Sequence, residues 1–561
     1  MTEPRPVRGA PHDRFSPVSH VPTTAPGPAG LRPARPTPRP LDEVVEGVAQ
    51  RVVLPAGTPS AGTRGFVLPT VSGVVIDNRA ALPDDLFVAL PGARVHGARF
   101  AADAVARGAV AVLTDDAGAA QCGGLDVPVV VADDPRAVLG EVAARVHGRP
   151  AEALATFGVT GTNGKTTTTY VLDTLLAALG RTTGLVGTVE TRSAGRAVPS
   201  ALTTPEAGDL QALLATMRED GVDALAMEVS SHALALHRVD AVVYDVAGFT
   251  NLSQDHLDFH GDLDSYFSTK ATLFAPDRSR RGVVVLPGGG EGRAWAQRLL
   301  DEATVPVVAL DLTGRGERDG WTVLDVEAGA HQQEFRLVHA DGRSLDVTTT
   351  LPGGFNLANV ALAVVMVLES GVGVDDLAAA LTRSGGVRPV VPGRMETVGD
   401  RPRTVVDFAH NPDALALALD ALRPTTAGRL VVVFGATGER DRGKRPIMGR
   451  VAVERADVVI VTDDDPHGEP AGQVRAEVLE GARAAQAAGG RATVVREAAP
   501  RARAIRDAVL DAGPDDTVLV AGRGHEVWQE IDGVNHPLDD RVEARAALAD
   551  RAAKDTGEQD A

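Results

Sequence analysis

The run Gly158-Val159-Thr160-Gly161-Thr162-Asn163-Gly164-Lys165-Thr166-Thr167 has the residue types and spacing to hold a chain of phosphates. Glycines let the backbone fold so that successive N–H groups turn inward onto phosphate oxygens. Lys165 supplies a cation for the terminal phosphates, and the Thr166 hydroxyl can ligate Mg²⁺. The strict form of such a loop has glycine where this one has Val159. A phosphate loop alone does not name a reaction, because kinases, GTPases and ligases all carry one.

Such a loop works only between a strand and a helix. Apolar Leu154–Thr160 runs directly into the glycines, and helical spacing follows over Thr166–Leu179, whose positive dipole end faces the same phosphates. Further strands are expected at Ala224–Val229, Val242–Phe249 and Gly282–Leu286. Upstream, Val71–Asp77, Leu86–Leu90 and Ala109–Leu113 read as strands, with helical spacing over Phe100–Arg107. Beyond a Gly- and Pro-containing linker at Ser384–Gly393 come Thr404–Phe408, Leu430–Phe434, Val458–Thr462 and Thr517–Ala521. Strands alternating with helices predict parallel sheets covered on both faces. The expected fold class is therefore α/β in three domains: a small one over 66–150, a central one with a mostly parallel sheet over 151–390, and a doubly wound Rossmann-like one over 391–550. Residues 1–65 are expected as a disordered Pro-rich tail and 551–561 as a frayed end.

The chain has 561 residues, enough for about three domains. Hydrophobic content of 44% against 3% aromatics means cores built on Val, Leu and Ala. A formal charge of −19 argues against a general nucleic-acid or anionic-membrane binder, though not against a phosphorylated ligand, whose site is local. The single Cys122 excludes an internal disulfide framework and a multi-cysteine metal site, and fits a reducing cytoplasm. No apolar run approaches the roughly 20 residues that span a bilayer. The sequence is expected to be a cytoplasmic protein without membrane insertion, acting as a monomer.

Other segments are more specific than the loop. Gly161–Thr166 is the form seen in the Mur ligase family, and Glu228-Val-Ser-Ser-His-Ala-Leu234 and Asn251-Leu-Ser-Gln-Asp-His-Leu-Asp258 resemble two further signatures of it. So do Gly354–Asn359, Pro392–Glu396, Asp407–Ala414 and Gly522–Glu526, in the family's order and over roughly Val71 to Arg541. The combination is similar to the family's MurE branch, the UDP-N-acetylmuramoyl-tripeptide synthetases. The resemblance implies an N-terminal UDP-substrate-binding domain, a central ATPase and a mobile amino-acid-binding domain. It implies ATP as co-substrate, Mg²⁺, and two partners: UDP-N-acetylmuramoyl-L-alanyl-D-glutamate and a free diamino acid. The reaction would pass through an acyl phosphate, because a free carboxylate is a poor electrophile.

Glu228 ends an apolar strand, where a carboxylate is well placed to bind metal, and His256 is the second candidate ligand. By position Lys270 resembles the lysine that the family carbamylates, which turns an ammonium into a carboxylate ligand. With Lys165 and Thr166 these complete the expected catalytic and metal set. On the nucleotide, Gly161, Thr162, Asn163, Gly164 and Thr167 join Asn356 and Arg394, which resemble residues near the base and phosphates, and Asp407, which resembles one near the ribose. Thr203, Thr204, Ser230 and Arg238 are expected on the UDP-muramyl ligand. Asn78 stands where the family reads serine, and Leu236 where some relatives place a glutamine.

Arg440, Gly522 and Glu526 resemble contacts to the incoming amino acid. Enzymes adding meso-diaminopimelate typically show Asp-Asn-Pro-Arg nearby, where the arginine pairs with the second carboxylate. This chain has Asp464-Asp465-Pro466-His467. A histidine, with a reference pKa near 6.5, is a weak substitute for a fixed cation, and Asp465 adds a carboxylate. Such a pocket is expected to favour L-lysine or L-ornithine over meso-diaminopimelate. Two alternatives remain: a folylpolyglutamate-synthase-like ligase, against which the Thr-Thr-Pro and Glu-Val-Ser-Ser-His segments count, and a non-catalytic nucleotide-binding interaction protein, against which the intact Lys165, Glu228, His256 and Lys270 count.

Overall fold

The computed structural model describes residues 32–55, 67–92, 94–198, 202–316, 319–329, 332–439 and 441–559, with side chains through residue 553. Two compact units are present, one ending at His147 and one continuing from Gly148.

The first unit holds a five-stranded sheet in the order Arg51–Val53, Val129–Val131, Ala111–Thr114, Asp85–Val88, Gly73–Val75. The first pairing is antiparallel and the rest are parallel. Helix Pro135–Val146 begins where the Asp134 carboxylate accepts from the N–H groups of Arg136 (2.9 Å) and Ala137 (3.2 Å), with proline at a position that needs no N–H.

The expected N-terminal tail is too long. Leu41, Val44 and Val45 form the inner face of a short helix and are buried, and Arg51–Val53 supplies the edge strand. Three apolar side chains at one-turn spacing suffice to anchor the segment, a local pattern hidden by its Pro- and Arg-rich surroundings. Residues 1–31 and 56–65 of that expected tail lie outside the described residues. At the other end, helix Asp540–Gln559 runs through the stretch expected to fray, with Ala544 and Ala547 fully buried against helix Arg501–Asp511.

In the second unit, the central sheet has eleven strands. Its parallel part runs Thr183–Val186, Ala224–Glu228, Ala155–Thr160, Val246–Phe249, Gly282–Leu286, Val307–Asp311, Gly320–Ala328. Helices Lys165–Ala178 and Gly354–Glu369 fill one face, and Ala207–Glu219 and Gly290–Glu302 the other. Antiparallel strands Gln333–His339 and Ser344–Thr349 extend the sheet. Only alternate residues of these two, such as Phe335, Leu337, Leu345 and Val347, are buried, so they carry no continuous apolar run.

A second, six-stranded sheet follows, ordered Glu396–Asp400, Arg403–Asp407, Thr517–Ala521, Leu430–Phe434, Val458–Val461, Val494–Glu497. All pairings but the first are parallel, and helices cover both faces, as a doubly wound domain requires.

If residues 41–53 belong to the fold, Leu41→Ala should destabilise the first unit by roughly 2–4 kcal/mol. Calorimetry of the full chain would show an earlier first transition. A tail segment would leave the trace unchanged.

Candidate active site

Three adjacent parallel strands end together, and their ends carry the chemistry. Ala155–Thr160 lies between Ala224–Glu228 and Val246–Phe249, so the phosphate loop emerges beside Glu228 on one flank and Thr250 and Asn251 on the other. Val159 is fully buried inside its strand, opposite Glu228, so the turn needs no glycine there. The turn begins at Gly161 (φ +148°), where a Cβ would sit 1.8 Å from the Thr250 hydroxyl. At Gly164 (φ +89°) a Cβ would lie 2.3 Å from Asn359 Oδ1. Only glycine meets both demands. Asn251 fixes the loop between them, its Oδ1 accepting from Asn163 N–H at 3.0 Å and its Nδ2 donating to Asn163 C=O at 3.1 Å.

Lys165 and Lys270 converge on one carbonyl. Lys165 Nζ donates to the Gly161 C=O at 2.9 Å and to the Thr162 C=O at 3.0 Å, and Lys270 Nζ reaches the same Gly161 oxygen at 2.9 Å. Lys270 is buried to 1% exposure on helix Leu263–Ala271, its amine 4.4 Å above the Tyr266 ring. Burial first, and the neighbouring Lys165 second, hold the Lys270 amine well below the usual lysine range. Burial lowers Lys165 as well, against the opposing pull of Glu228 and Asp255.

Glu228, also 1% exposed, accepts from the Thr188 N–H (2.8 Å) and hydroxyl (3.0 Å), leaving carboxylate lone pairs available. His256 has a left-handed backbone (φ +52°) and packs edge-on against His232, with ring centres 4.9 Å apart. His260, whose Nε2 lies 3.0 Å from the Ser231 hydroxyl, completes a three-imidazole group. Desolvation pushes each of the three down to about 4, so all are neutral at pH 7; His256 is the most exposed of them. Thr166 offers a hydroxyl and Glu228 a carboxylate, oxygen ligands of the kind Mg²⁺ takes, and His256 adds an imidazole to that set of ligand types. Lys270 as a free amine does not fit that set.

The second sheet closes the other side of the loop. Arg394 stacks on Phe408 (4.2 Å) and donates to the Thr166 hydroxyl at 3.5 Å, while Asn411 Nδ2 reaches Asn163 Oδ1 at 3.3 Å. Asp407, at the end of its strand, is held by the N–H groups of Met395 (2.7 Å) and Ala409 (2.9 Å), and burial raises its carboxyl. With Gly164, Thr166, Thr167, Asn356 and Phe408, Arg394 and Asp407 line one pocket. Asn356 itself is tied to the Pro352 C=O at 2.8 Å and to Asn359 at 3.4 Å. The sequence reading missed Asn251, Asn359 and Asn411. Each lies inside a motif already singled out, and Asn359 follows Asn356 at one-turn spacing. A larger cleft of about 920 Å³, lined by Phe157, Arg181, Arg281 and Arg383, opens at the opposite, amino-terminal edge of the central sheet, away from every motif.

Thr203, Thr204 and Ser230 gather around Glu228. The Thr203 hydroxyl lies 3.1 Å from that of Thr188, Thr204 donates to the Glu228 C=O at 2.9 Å, and Ser230 caps helix Ser231–Ala235. Arg238 is paired with Glu206 at 2.9 Å. Asn78 lies in the first unit, where its amide donates to Asp103 at 2.8 Å.

Asp464, Asp465 and Glu526 have carboxylate oxygens within 4.8 Å of one another. Gly522 (φ +115°) lies against them: a Cβ there would be 2.6 Å from Asp464 Oδ2. Burial, reinforced by Asp464 and Asp465, pushes Glu526 up to about 8 despite Arg523. Arg440 lies outside the described residues. One expectation needs correcting: Asp465 is not a free extra carboxylate, because the fully buried Arg523 pairs with it. Arg523 was missed because its place in Gly522–Glu526 gave no sign of a partner 58 residues earlier. Gln254 Nε2 lies 3.5 Å from Asp441 Oδ2, which brings the loop containing His256 against the turn beside this cluster.

Family models match three stretches: the Mur ligase family catalytic domain over residues 70–147, the Mur ligase middle domain over 159–367, and the Mur ligase glutamate ligase domain over 393–524. A UDP-N-acetylmuramyl-tripeptide synthetase of Leifsonia xyli subsp. xyli is 45% identical, covering 94% of this chain and 99% of its own. A UDP-N-acetylmuramoyl-L-alanyl-D-glutamate–2,6-diaminopimelate ligase of Streptomyces avermitilis is 44% identical over the same shares. A solved structure of a ligase of that second name superposes with a TM-score of 0.61 at 29% identity, covering 92% of this chain and 100% of that one. Among the described residues no helix is long and apolar enough to cross a membrane.

Gly164→Ala should weaken nucleotide binding by about 100-fold or more, because the side chain meets Asn359 and the backbone leaves the left-handed region. Calorimetric titration with ATP, with circular dichroism confirming the fold, checks this.

Proposed function

The chain belongs to the Mur ligase family, and from that premise we propose that it uses ATP to join a free diamino acid to the D-glutamyl carboxylate of UDP-N-acetylmuramoyl-L-alanyl-D-glutamate. L-Lysine or L-ornithine is favoured over meso-diaminopimelate. The observation that carries the amino-acid assignment is the carboxyl cluster of Asp464, Asp465 and Glu526, to which, among the described residues, Arg523 is the one guanidinium in ion-pair range, the buried Arg501 behind it being paired with Asp540. Excess negative charge in a partly buried pocket is relieved by a ligand ammonium. Meso-diaminopimelate is the second reading, supported by the names of relatives such as the Streptomyces ligase. Relatives matching 94% of the chain carry muramyl-peptide names, which counts against the folate alternative.

In this reading the D-glutamyl carboxylate attacks the γ-phosphorus of ATP, ADP leaves, and an acyl phosphate results. The amine then attacks the acyl carbon, phosphate leaves, and the amine loses a proton. The loop amides and Lys165 neutralise the phosphates, and Arg394 reaches them from the second sheet. Thr166, Glu228 and His256, with Lys270 as its carbamate, would hold Mg²⁺, which supplies charge neutralisation where two anions meet. A buried lysine kept neutral is the form that adds CO₂: the amine lone pair bonds to the carbon and one N–H proton is released. The geometry around the Gly161 carbonyl supports Lys270 as that residue. Thr203, Thr204 and Ser230, which lie around Glu228, and Arg238, which donates to the Thr204 C=O at 3.4 Å, are assigned to the acceptor, and Asn78 to its uridine end. Asn356 and Asp407 are assigned to the base and ribose, and Arg440 to the amino acid's carboxylate.

Phosphate release with ATP, Mg²⁺ and the UDP-linked dipeptide, adding L-lysine, L-ornithine or meso-diaminopimelate in turn, tests the assignment. Turnover should be fastest with lysine or ornithine; a clear diaminopimelate preference would select the second reading. The amino-acid KM should depend on Glu526. Its carboxyl, raised to about 8, is largely protonated at pH 6 and becomes an anion that can pair with an ammonium as pH rises. KM should therefore fall by up to about tenfold per unit from pH 6 towards 8 and then level off. Glu526→Gln should raise KM and flatten the profile.

A further inference from the structure

Glu530 lies outside every motif, on a two-stranded hairpin of Trp528–Ile531 and Val534–Pro537. That hairpin is bonded along the loop carrying His467. His467 N–H donates to the Glu530 C=O at 3.3 Å, Asp532 N–H to the His467 C=O at 2.8 Å, and Glu530 N–H to Asp465 Oδ1 at 3.0 Å. Gln529 Nε2 donates to the Asp464 C=O at 2.6 Å. With His467 held in the left-handed region (φ +50°), its Nδ1 comes 3.1 Å from Glu530 Oε2, out of line for a hydrogen bond. His467 is 14% exposed and Glu530 26%, so solvent screens their charges only in part.

The charges of this region sum in one direction. Arg523 is the guanidinium facing Asp464 (3.7 Å), Asp465 and Glu526 (3.5 Å), and with Glu526 mostly protonated at neutral pH that is two carboxylates and one carboxyl group to one cation among the described residues. The remaining basic side chain of the loop, His467, already faces a further carboxylate. A distal carboxylate arriving at His467 meets Glu530 as well, while a distal ammonium finds an acceptor there.

We propose that Glu530 is a specificity-determining residue: by occupying His467 and presenting its own carboxylate, it selects an amino acid with a distal ammonium and rejects one with a distal carboxylate. This rests on the reading that the pocket receives the incoming amino acid. It moves the discriminating negative charge from Asp465, which Arg523 neutralises, to a residue on the hairpin.

The test is the ratio of kcat/KM for meso-diaminopimelate to that for L-lysine, measured for the wild type, Glu530→Gln, His467→Arg and the double variant. A ratio taken within one preparation is independent of the fraction folded. Glu530→Gln should raise it at least about tenfold, chiefly through the lysine KM, with the ATP KM unmoved. His467→Arg alone should raise it little, because Glu530 neutralises the new guanidinium. In the double variant the ratio should exceed the product of the two single effects. Glu530→Asp, which keeps the charge, should retain most of the wild-type preference. A ratio within threefold of wild type in both Glu530→Gln and the double variant overturns the proposal. If the wild type prefers diaminopimelate but Glu530→Gln still raises the ratio tenfold, the role of Glu530 stands and the lysine or ornithine assignment falls.

Discussion

Two lysine amines meeting at one carbonyl oxygen is the constraint around which the rest of the site is arranged. Lys165 and Lys270 both donate to Gly161, from the first turn of the loop helix and from the last turn of helix Leu263–Ala271. Two buried ammonium ions this close repel each other, and burial disfavours each of them. The arrangement is relieved when one amine is neutral, and Lys270, the more enclosed of the two, is the one held furthest below its ordinary range. The strained turn at Gly161, the Thr250 hydroxyl that closes on it and the Asn251 amide that clamps Asn163 all hold that carbonyl in place. Converting Lys270 to a carbamate would exchange an amine that burial holds neutral for an anion.

The two sheets of the second unit divide the work along their carboxyl-terminal edges, where the strands of an open α/β sheet leave a crevice. The central sheet supplies phosphate loop, Glu228 and Asn251, and the second sheet supplies Asp407, Asp464 and Gly522. Behind the Asp464, Asp465 and Glu526 cluster a fully buried ion pair links three elements. Arg501 binds Asp540 at 2.6 Å while donating to the carbonyls of Asp463 (3.0 Å) and Ala521 (2.8 Å). Losing either partner would leave an uncompensated buried charge, so this pair fixes the approach of the Asp464 loop to the Gly522 turn.

Much of this was legible in the sequence. Strands Gly282–Leu286, Leu430–Phe434 and Thr517–Ala521 stand where their apolar runs placed them, because a parallel strand buried on both faces announces itself as a continuous hydrophobic block. Strands buried on one face, such as Gln333–His339, escaped that reading, as did the short anchor at Leu41–Val45 inside a Pro-rich stretch. For the site, motif residues reached the expected strand ends, but partnerships between distant residues did not show. Asp465 and Arg523, or His467 and Glu530, are separated by about sixty residues and meet only through sheet order. Asp465 was legible as an added carboxylate, but the guanidinium of Arg523 that pairs with it was not.

The most direct measurement concerns Lys270. Carbon-13 NMR of the protein equilibrated with labelled bicarbonate, Mg²⁺ and a non-hydrolysable ATP analogue should show a carbamate resonance that is absent from Lys270→Arg, with turnover rising in step with that signal. Full turnover in protein stripped of CO₂, with no such resonance, would contradict a carbamylated Lys270 and leave the meeting of the two amines at Gly161 as an electrostatic feature of the phosphate loop alone.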